Sequence, residues 1–186
     1  MENKRLFTVR GMVFTAIMAA AICITAPLSI PMPTAVPLSL ATLAVYLAGA
    51  LLGKVKGSAA VAVYILLGLV GLPVFSGFMG GPAVLFGATG GYIIGYLPCA
   101  FITGAFSESF GGKPLALVVG MTLGTLLLYI IGTVWFMVFT GSDIMSALMV
   151  CVVPFLVGDV LKVTAAAAVS VSLRKKILLF YENNEK

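Results

Sequence analysis

Three long stretches without a charged residue constrain the fold of this chain: 11–53, 57–107 and 114–142. A helix needs about 20 apolar residues to cross the roughly 30 Å hydrocarbon core of a bilayer, and each stretch is long enough for at least one crossing. Of all 186 residues, 61% are hydrophobic and 9% are charged. We therefore predict an all-α integral membrane protein, with residues 1–186 in a single membrane domain.

The apolar runs and the loop residues between them predict six transmembrane helices. Their expected limits are about 11–29, 38–52, 58–72, 88–105, 114–139 and 147–173, and the last helix is expected to be interrupted or kinked near Pro154. Six helices put both termini on one side, and that side receives ten of the eleven Lys and Arg residues. By the positive-inside rule we expect both termini in the cytoplasm and the connections at 27–37 and 71–91 on the outside. Five or seven helices would remove this asymmetry.

Several classes of function do not fit the sequence. The formal net charge of +5 comes from residues at the predicted helix ends, so it does not indicate nucleic-acid binding. The chain has no His, and its three Cys form no C-x-x-C pair, so no metal or other cofactor is predicted. The pattern G-x-x-x-x-G-K-[ST] is missing, so we predict no ATP hydrolysis by this chain. An intramembrane hydrolase would need a Ser/His, metal-ligand or paired-Asp arrangement. The chain shows none of these, so it is not predicted to be an enzyme.

The last apolar run carries two charges, Asp159 and Lys162, three residues apart. At this spacing both side chains lie on one face of a helix. Ionisable groups at membrane depth are costly and usually serve a cavity or a pathway. We interpret the pair as the polar floor of a binding site, about 18 Å along the last helix from its outer start near residue 147. The alternative is an ion pair that only joins two helices.

The Gly-rich segment 71–91 is too rich in glycine for a simple helix and too apolar for an exposed loop. Irregular backbone at membrane depth occurs where protein buries it or where it lines a cavity. We therefore expect this segment to dip towards the bundle. The expected walls of an outward-facing pocket are Phe75, Phe78, Met79, Phe86, Tyr92 and Trp135.

The predicted floor offers a carboxylate that only accepts hydrogen bonds and an ammonium that only donates them. A cyclic urea matches both, with its N–H on Asp159 and its C=O on Lys162. In another pose, Lys162 pairs with a ligand carboxylate. A self-sufficient secondary carrier for a small organic acid or vitamin remains an alternative, as does an assembly subunit without a ligand.

Three motifs, in order and spacing, resemble the BioY family, the biotin-binding S components of energy-coupling factor (ECF) vitamin transporters. They are Gly71-Leu-Pro-Val-Phe75, Gly80-Gly81 followed by Gly87-Ala-Thr-Gly-Gly-Tyr92, and Pro154-Phe-Leu-Val-Gly-Asp-Val-Leu-Lys162. A weaker fourth is Val36-Pro37-Leu-Ser-Leu-Ala-Thr42. Ser39, Ala41 and Ala88 depart from the residues common in the family.

The resemblance implies a high-affinity biotin-binding and translocating subunit of an ATP-driven importer in a prokaryotic cell membrane. Asp159 and Lys162 would contact the ureido ring, and the first outer loop would close the pocket. Further implied ligand contacts are Met79, Tyr92, Phe75, Gly80, Gly81, Thr89 and Gly91. Candidates for binding the biotin carboxylate are Thr34, Ser76, Thr89 and Tyr92.

The resemblance also implies protein partners. Ala16 and Ala20 would form part of a small-residue face on the first helix. On that face, S components dock to the transmembrane coupling subunit, and two cytoplasmic ATPase subunits complete the complex.

Overall fold

A computed structural model of the chain describes residues 8–30 and 37–182, with side chains as far as residue 174. The described part is a helical bundle with one two-stranded β ladder. Its helices are α1 (Val9–Thr25), α2 (Ala41–Leu69), α3 (Pro82–Leu85), α4 (Gly90–Ser109), α5 (Pro114–Thr140), α6 (Ile144–Cys151) and α7 (Leu156–Glu182), and its strands are β1 (Ser29–Ile30) and β2 (Leu38–Ser39). Four spans in the described residues are long and apolar enough to cross a membrane, namely α2, α4, α5 and Ile144–Arg174, and α1 is a shorter apolar helix.

Helix α2 reverses its direction at Gly53, whose φ of 82° and ψ of −179° are not helical. A Cβ atom built on Gly57 would lie 2.8 Å from the Cα of Gly49, although eight residues of straight helix rise about 12 Å. Residues 41–52 and 54–69 therefore form an antiparallel helical pair. The loop expected between 53 and 57 is reduced to Gly53. Glu108 of α4 makes this short reversal possible, because its Oε1 accepts the N–H of Lys54 at 3.0 Å and caps the second segment.

The ends of the first two helices also differ from the expected limits. The helix expected over 11–29 ends at Thr25, and the one expected from 38 begins at Ala41. Both are shortened because Ser29 pairs with Ser39 in the ladder of β1 and β2. Smaller shifts occur at 58–72, which ends at Leu69, and at 88–105, which becomes Gly90–Ser109.

The helix expected over 147–173 is two helices with a break between them. Helix α6 ends at Cys151, a 3-10 turn covers Val153–Phe155, and α7 begins at Leu156. Pro154 lies in that turn, and proline cannot supply the N–H that a continuous helix requires. The break starts a new helix only a few residues before Asp159.

Close contacts at glycines define the directions of the central helices. In α4 and α5, a Cβ on Gly91 would lie 2.3 Å from the Cβ of Trp135, and a Cβ on Gly124 would lie 3.0 Å from the carbonyl oxygen of Cys99. Residue numbers therefore rise along α4 as they fall along α5, so the two helices are antiparallel.

The first segment of α2 runs in the same direction as α4. A Cβ on Gly49 would lie 2.5 Å from the carbonyl oxygen of Ala100, and a Cβ on Gly104 would lie 2.3 Å from the nitrogen of Lys54. Residues 41–52 are therefore antiparallel to α5.

Basic residues lie at one end of the bundle, which we call the basic end. These residues are Arg10, Lys54, Lys56, Lys113 and Arg174. Arg174 donates to the carbonyl oxygen of Ala50 at 3.2 Å and to Oγ of Ser107. Helix α1 starts at the same end, where the Cε of Lys56 lies 3.1 Å from a Cβ built on Gly11. The start of α1 and the described side chains at the end of α7 thus share the basic end.

Candidate ligand-binding site

A cavity of about 100 Å³ lies at the opposite end of the bundle from the basic end. Its walls come from the start of α2, the Gly-rich segment, α4, α5 and the break between α6 and α7. The lining residues are Pro37, Ser39, Thr42, Phe75, Ser76, Met79, Val84, Thr89, Tyr92, Ile93, Tyr96, Leu128, Tyr129, Cys151, Phe155, Asp159 and Lys162.

Asp159 and Lys162 form an ion pair in this cavity. The Nζ of Lys162 lies 3.1 Å from Oδ1 of Asp159, and the two residues are only 9% and 7% exposed, respectively. Asp159 lies in the first turn of α7. The positive end of the helix dipole therefore favours its carboxylate. The sequence placed Asp159 about twelve residues along the last helix, whereas the break at Pro154 puts it in the first turn of a new helix.

Tyr129 is the third member of this polar group. Its hydroxyl donates to Oδ2 of Asp159. Both oxygens of the carboxylate thus receive a hydrogen bond, one from α5 and one from α7 itself. Each carboxylate oxygen has about two lone-pair sites, so the carboxylate can still accept from a ligand. Nothing in the sequence points to Tyr129, because a single tyrosine in a long apolar helix gives no local signal.

Hydroxyl groups further along the same helices tie the cavity walls together. The hydroxyls of Tyr46 and Thr125 lie 2.5 Å apart, which joins α2 to α5. The hydroxyl of Tyr92 lies 3.2 Å from that of Thr133 and donates to the carbonyl oxygen of Cys151 at 3.2 Å. Tyr92 therefore connects α4 to α5 and to the end of α6, besides lining the cavity.

The Gly-rich segment does enter the bundle. Phe75 is 1% exposed and packs edge-on against Tyr64, with ring centroids 5.5 Å apart. The N–H of Phe75 donates to the carbonyl oxygen of Met79 at 2.9 Å, and the N–H of Gly77 donates to that of Pro27 at 3.2 Å. These bonds hold a tight loop against the end of α1.

The structure brings six of the nine predicted ligand-binding residues to the cavity: Asp159, Lys162, Phe75, Met79, Thr89 and Tyr92. The other three are glycines next to the lining. A Cβ on Gly80 would lie 2.2 Å from the carbonyl oxygen of Leu72. The N–H of Gly81 donates to the carbonyl oxygen of Gly68 at 2.7 Å, and Gly91 packs against Trp135. That any of the nine contacts a ligand stays a prediction.

Three of the aromatic walls expected from the sequence lie elsewhere. Phe78 and Phe86 are 66% and 61% exposed. Trp135 donates from Nε1 to the carbonyl oxygen of Gly87 at 2.9 Å and is not among the lining residues. Thr34 and most of the outer loop expected to close the pocket lie outside the described residues.

Ala16 and Ala20, the residues expected to dock a partner, are both exposed on α1. Among the residues that the structure describes, no group of three or more His, Cys, Asp or Glu side chains could hold a metal ion.

The fold and the site define a class: a multi-pass membrane protein with a buried ion pair in a cavity between its helices. The chain belongs to the BioY family, whose model matches residues 1–178.

The chain is 39% identical over 166 residues to the biotin transporter BioY of Thermotoga maritima, covering 89% of this chain and 96% of that protein. It is 35% identical over 162 residues to the biotin transporter BioY2 of Lactococcus lactis subsp. cremoris, covering 87% of each chain. Among solved structures, it resembles the S-component for biotin from an ECF-type ABC transporter, with a TM-score of 0.84 and 29% identity over 94% of this chain and 95% of that one.

Proposed function

We propose that this chain is the high-affinity biotin-binding and translocating subunit of an ATP-driven ECF vitamin importer. The observation that carries the proposal is the group formed by Asp159, Lys162 and Tyr129 inside the cavity. Two ionisable groups buried at this depth are costly, and groups of this kind usually mark a functional site. The names of the relatives, which are biotin transporters and a biotin S-component, support biotin as that ligand.

The ureido ring of biotin suits this group chemically. Its N–H donates to Asp159, and its carbonyl oxygen accepts from Lys162, which has three protons and uses one on Asp159. Tyr129 keeps the carboxylate oriented while the ring binds. The rings of Phe75 and Tyr92 and the side chain of Met79 enclose the apolar part of the ligand.

In the membrane, we propose six crossing segments, with the antiparallel pair in α2 counted as two. The basic end faces the cytoplasm by the positive-inside rule, so both termini are cytoplasmic and the cavity opens to the outside. This arrangement gives biotin access from the medium.

Energy for transport comes from partners in this proposal. The exposed small residues Ala16 and Ala20 allow a helix of a transmembrane coupling subunit to approach α1 closely. Two cytoplasmic ATPase subunits complete the importer.

Equilibrium binding to the purified, ligand-stripped chain in detergent tests the proposal. We expect tight binding of biotin and none of riboflavin or thiamine. Asp159→Asn, which replaces an acceptor-only group with a mixed one, should weaken binding by at least about tenfold. Folded wild-type protein that fails to bind biotin would refute the proposal.

Transport by liposomes that contain only this chain separates an ECF subunit from a self-sufficient carrier. We expect no biotin accumulation driven by a proton gradient. Accumulation by the chain alone would favour the secondary carrier instead.

A further inference from the structure

The hydroxyl of Thr42 is a buried polar group without a hydrogen-bond partner. Three side-chain oxygens in the described residues are fully buried and unpaired, those of Thr42, Thr103 and Ser170. Of these residues, only Thr42 lines the cavity. Thr125, in the middle of α5, illustrates how a helical threonine can be satisfied, because its hydroxyl donates to the carbonyl oxygen of Met121 in the preceding turn at 2.8 Å. Thr42 is the second residue of α2, so no preceding helical turn offers it a carbonyl.

Thr42 lies at the same level in the bundle as Asp159. On α2, Thr42 is one turn before Tyr46, and on α5, Thr125 is one turn before Tyr129. The hydroxyls of Tyr46 and Thr125 are 2.5 Å apart. Residues 41–52 run antiparallel to α5. Moving one helical turn from this contact towards the cavity therefore reaches Thr42 on α2 and Tyr129 on α5. Tyr129 is the residue that donates to Asp159.

Contacts from β2 also bring the start of α2 towards Asp159. A Cβ on Gly158, the residue before Asp159, would lie 3.3 Å from Cδ1 of Leu38. Leu38 is four residues before Thr42. The start of α2 and the first turn of α7 thus pack on the same side of the cavity.

Two other hydroxyls that line the cavity, those of Ser39 and Tyr92, already have partners. Ser39 donates to the carbonyl oxygen of Ala26 at 2.8 Å and accepts the N–H of Ala41 at 3.0 Å. The hydroxyl of Tyr92 is bonded to Thr133 and Cys151. Leaving a buried hydroxyl unpaired is unfavourable, so a ligand group that pairs with Thr42 would remove that cost.

A cyclic urea presents a group of this kind. Its two N–H bonds point away from each other on either side of the carbonyl, so the carboxylate of Asp159 reaches only one of them. The second N–H needs another acceptor at the same depth. The cavity of about 100 Å³ is smaller than the ~300–1,000 Å³ usual for small-molecule sites, so the ligand must widen it, which opens access to the hydroxyl.

We propose that Thr42 is a specificity-determining residue, whose Oγ1 accepts the second N–H of the ligand's urea ring while Asp159 accepts the first. This inference rests on the proposed biotin-binding function. It assigns a ligand contact to the start of α2, at a residue that was not among the nine expected contacts.

The test compares biotin binding by wild-type protein, Thr42→Val, Thr42→Ser and Ser170→Ala. Thr42→Val keeps the shape of the side chain and removes the hydroxyl, so affinity should fall by about tenfold or more. Thr42→Ser keeps the hydroxyl and should restore most of the affinity. Ser170→Ala removes another buried unpaired hydroxyl outside the cavity and should bind like wild type. Thr42→Ala replaces Thr42→Val if the valine variant does not fold.

Two further readouts distinguish the possible outcomes. The thermal stability of ligand-free Thr42→Val should not fall, because the variant removes an unpaired polar group. Biotinamide, which lacks the carboxylate, should lose the same factor as biotin in Thr42→Val. Unchanged affinity in that variant, or a loss seen with biotin but not with biotinamide, would overturn the contact with the urea. Failure of wild-type protein to bind biotin would instead refute the proposed function.

Discussion

The hydroxyl of Tyr129 donates to Oδ2 of Asp159, which joins the middle of α5 to the first turn of α7. Lys162 occupies the other oxygen of the same carboxylate at 3.1 Å. The chain itself therefore holds Asp159 from two directions, which fixes the orientation of its carboxylate.

Removing the donor should reduce affinity without removing the charge. In Tyr129→Phe, Asp159 loses one of its two donors, and we expect biotin to bind about tenfold more weakly. Isothermal titration measures the change. Tyr64→Phe is the matched control, since Tyr64 lies outside the cavity lining, and it should bind as wild type does. Equal affinities in Tyr129→Phe and wild type would mean that Tyr129 does not position the carboxylate.

Variants of Asp159 and Lys162 can separate the structural role of this ion pair from its role in ligand binding. Lys162→Met leaves a buried carboxylate unpaired, which should lower stability by about 3–5 kcal/mol. Adding Asp159→Asn removes that charge and keeps an acceptor for Tyr129, so the double variant should regain much of the thermal stability. It should not regain biotin binding. A double variant that binds biotin normally would show that the pair has only a structural role.

At the basic end, Arg174 ties α7 to α2 and α4 through Ala50 and Ser107. Arg174→Met removes one donor from the carbonyl oxygen of Ala50, which keeps its bond from Ser107 at 2.6 Å. We expect a loss of about 1–3 kcal/mol in stability and unchanged biotin affinity, because the cavity lies at the other end. Lys113→Met removes the same charge from an exposed position at this end and should leave the melting temperature nearly unchanged.

The contact between α2 and α4 at Gly49 should tolerate no side chain. In Gly49→Ala the new Cβ would lie 2.5 Å from the carbonyl oxygen of Ala100, and backbone cannot move aside as a side chain can. We expect a loss of about 1–3 kcal/mol, measured by thermal unfolding in detergent. Gly11→Ala is the control, because its Cβ would meet only the flexible end of Lys56. Equal stabilities of the two variants would contradict the close packing of α2 on α4 at Gly49.

Asp143 caps α6 in a pH-dependent way. Its Oδ2 accepts the N–H groups of Met145 and Ser146, both at 3.1 Å, and hydrogen bonds from Ser146 hold the pKa of Asp143 below its usual value. The cap therefore stabilises the fold fully above the ordinary pKa of an aspartate and is lost as pH falls through the lowered one. Asp143→Ala should melt below wild type at pH 7, and the gap should close in acid. Asp143→Asn, which also caps, should show no such pH dependence, and a gap that stays constant with pH would exclude the charged cap.

The sequence predicted the centre of the site better than its surroundings. Asp159 and Lys162 lie three residues apart in an apolar run, and one helix face suffices to bring them together. Tyr129 and Thr42 are ordinary residues in their own segments, and only the packing of three helices brings them to the same depth. Their roles depend on tertiary contacts that no local pattern records.

The helix limits also depend partly on local sequence and partly on distant residues. Pro154 predicts an interruption, and the structure has one there. The segment from Gly53 to Gly57 has the composition of a loop, yet Glu108 from another helix caps Lys54 and lets the second segment start at once. A distant residue thus determines where a local element begins.

The reversal at Gly53 also affects the lipid around the protein. Residues 41–52 and 54–69 rise about 18 Å and 24 Å, both less than the roughly 30 Å of a typical hydrocarbon core. With these segments crossing the membrane as proposed, the bilayer has to thin beside the α2 pair to avoid hydrophobic mismatch. Acyl-chain length thereby becomes a determinant of stability, and this protein should be held more favourably in thin membranes than in thick ones.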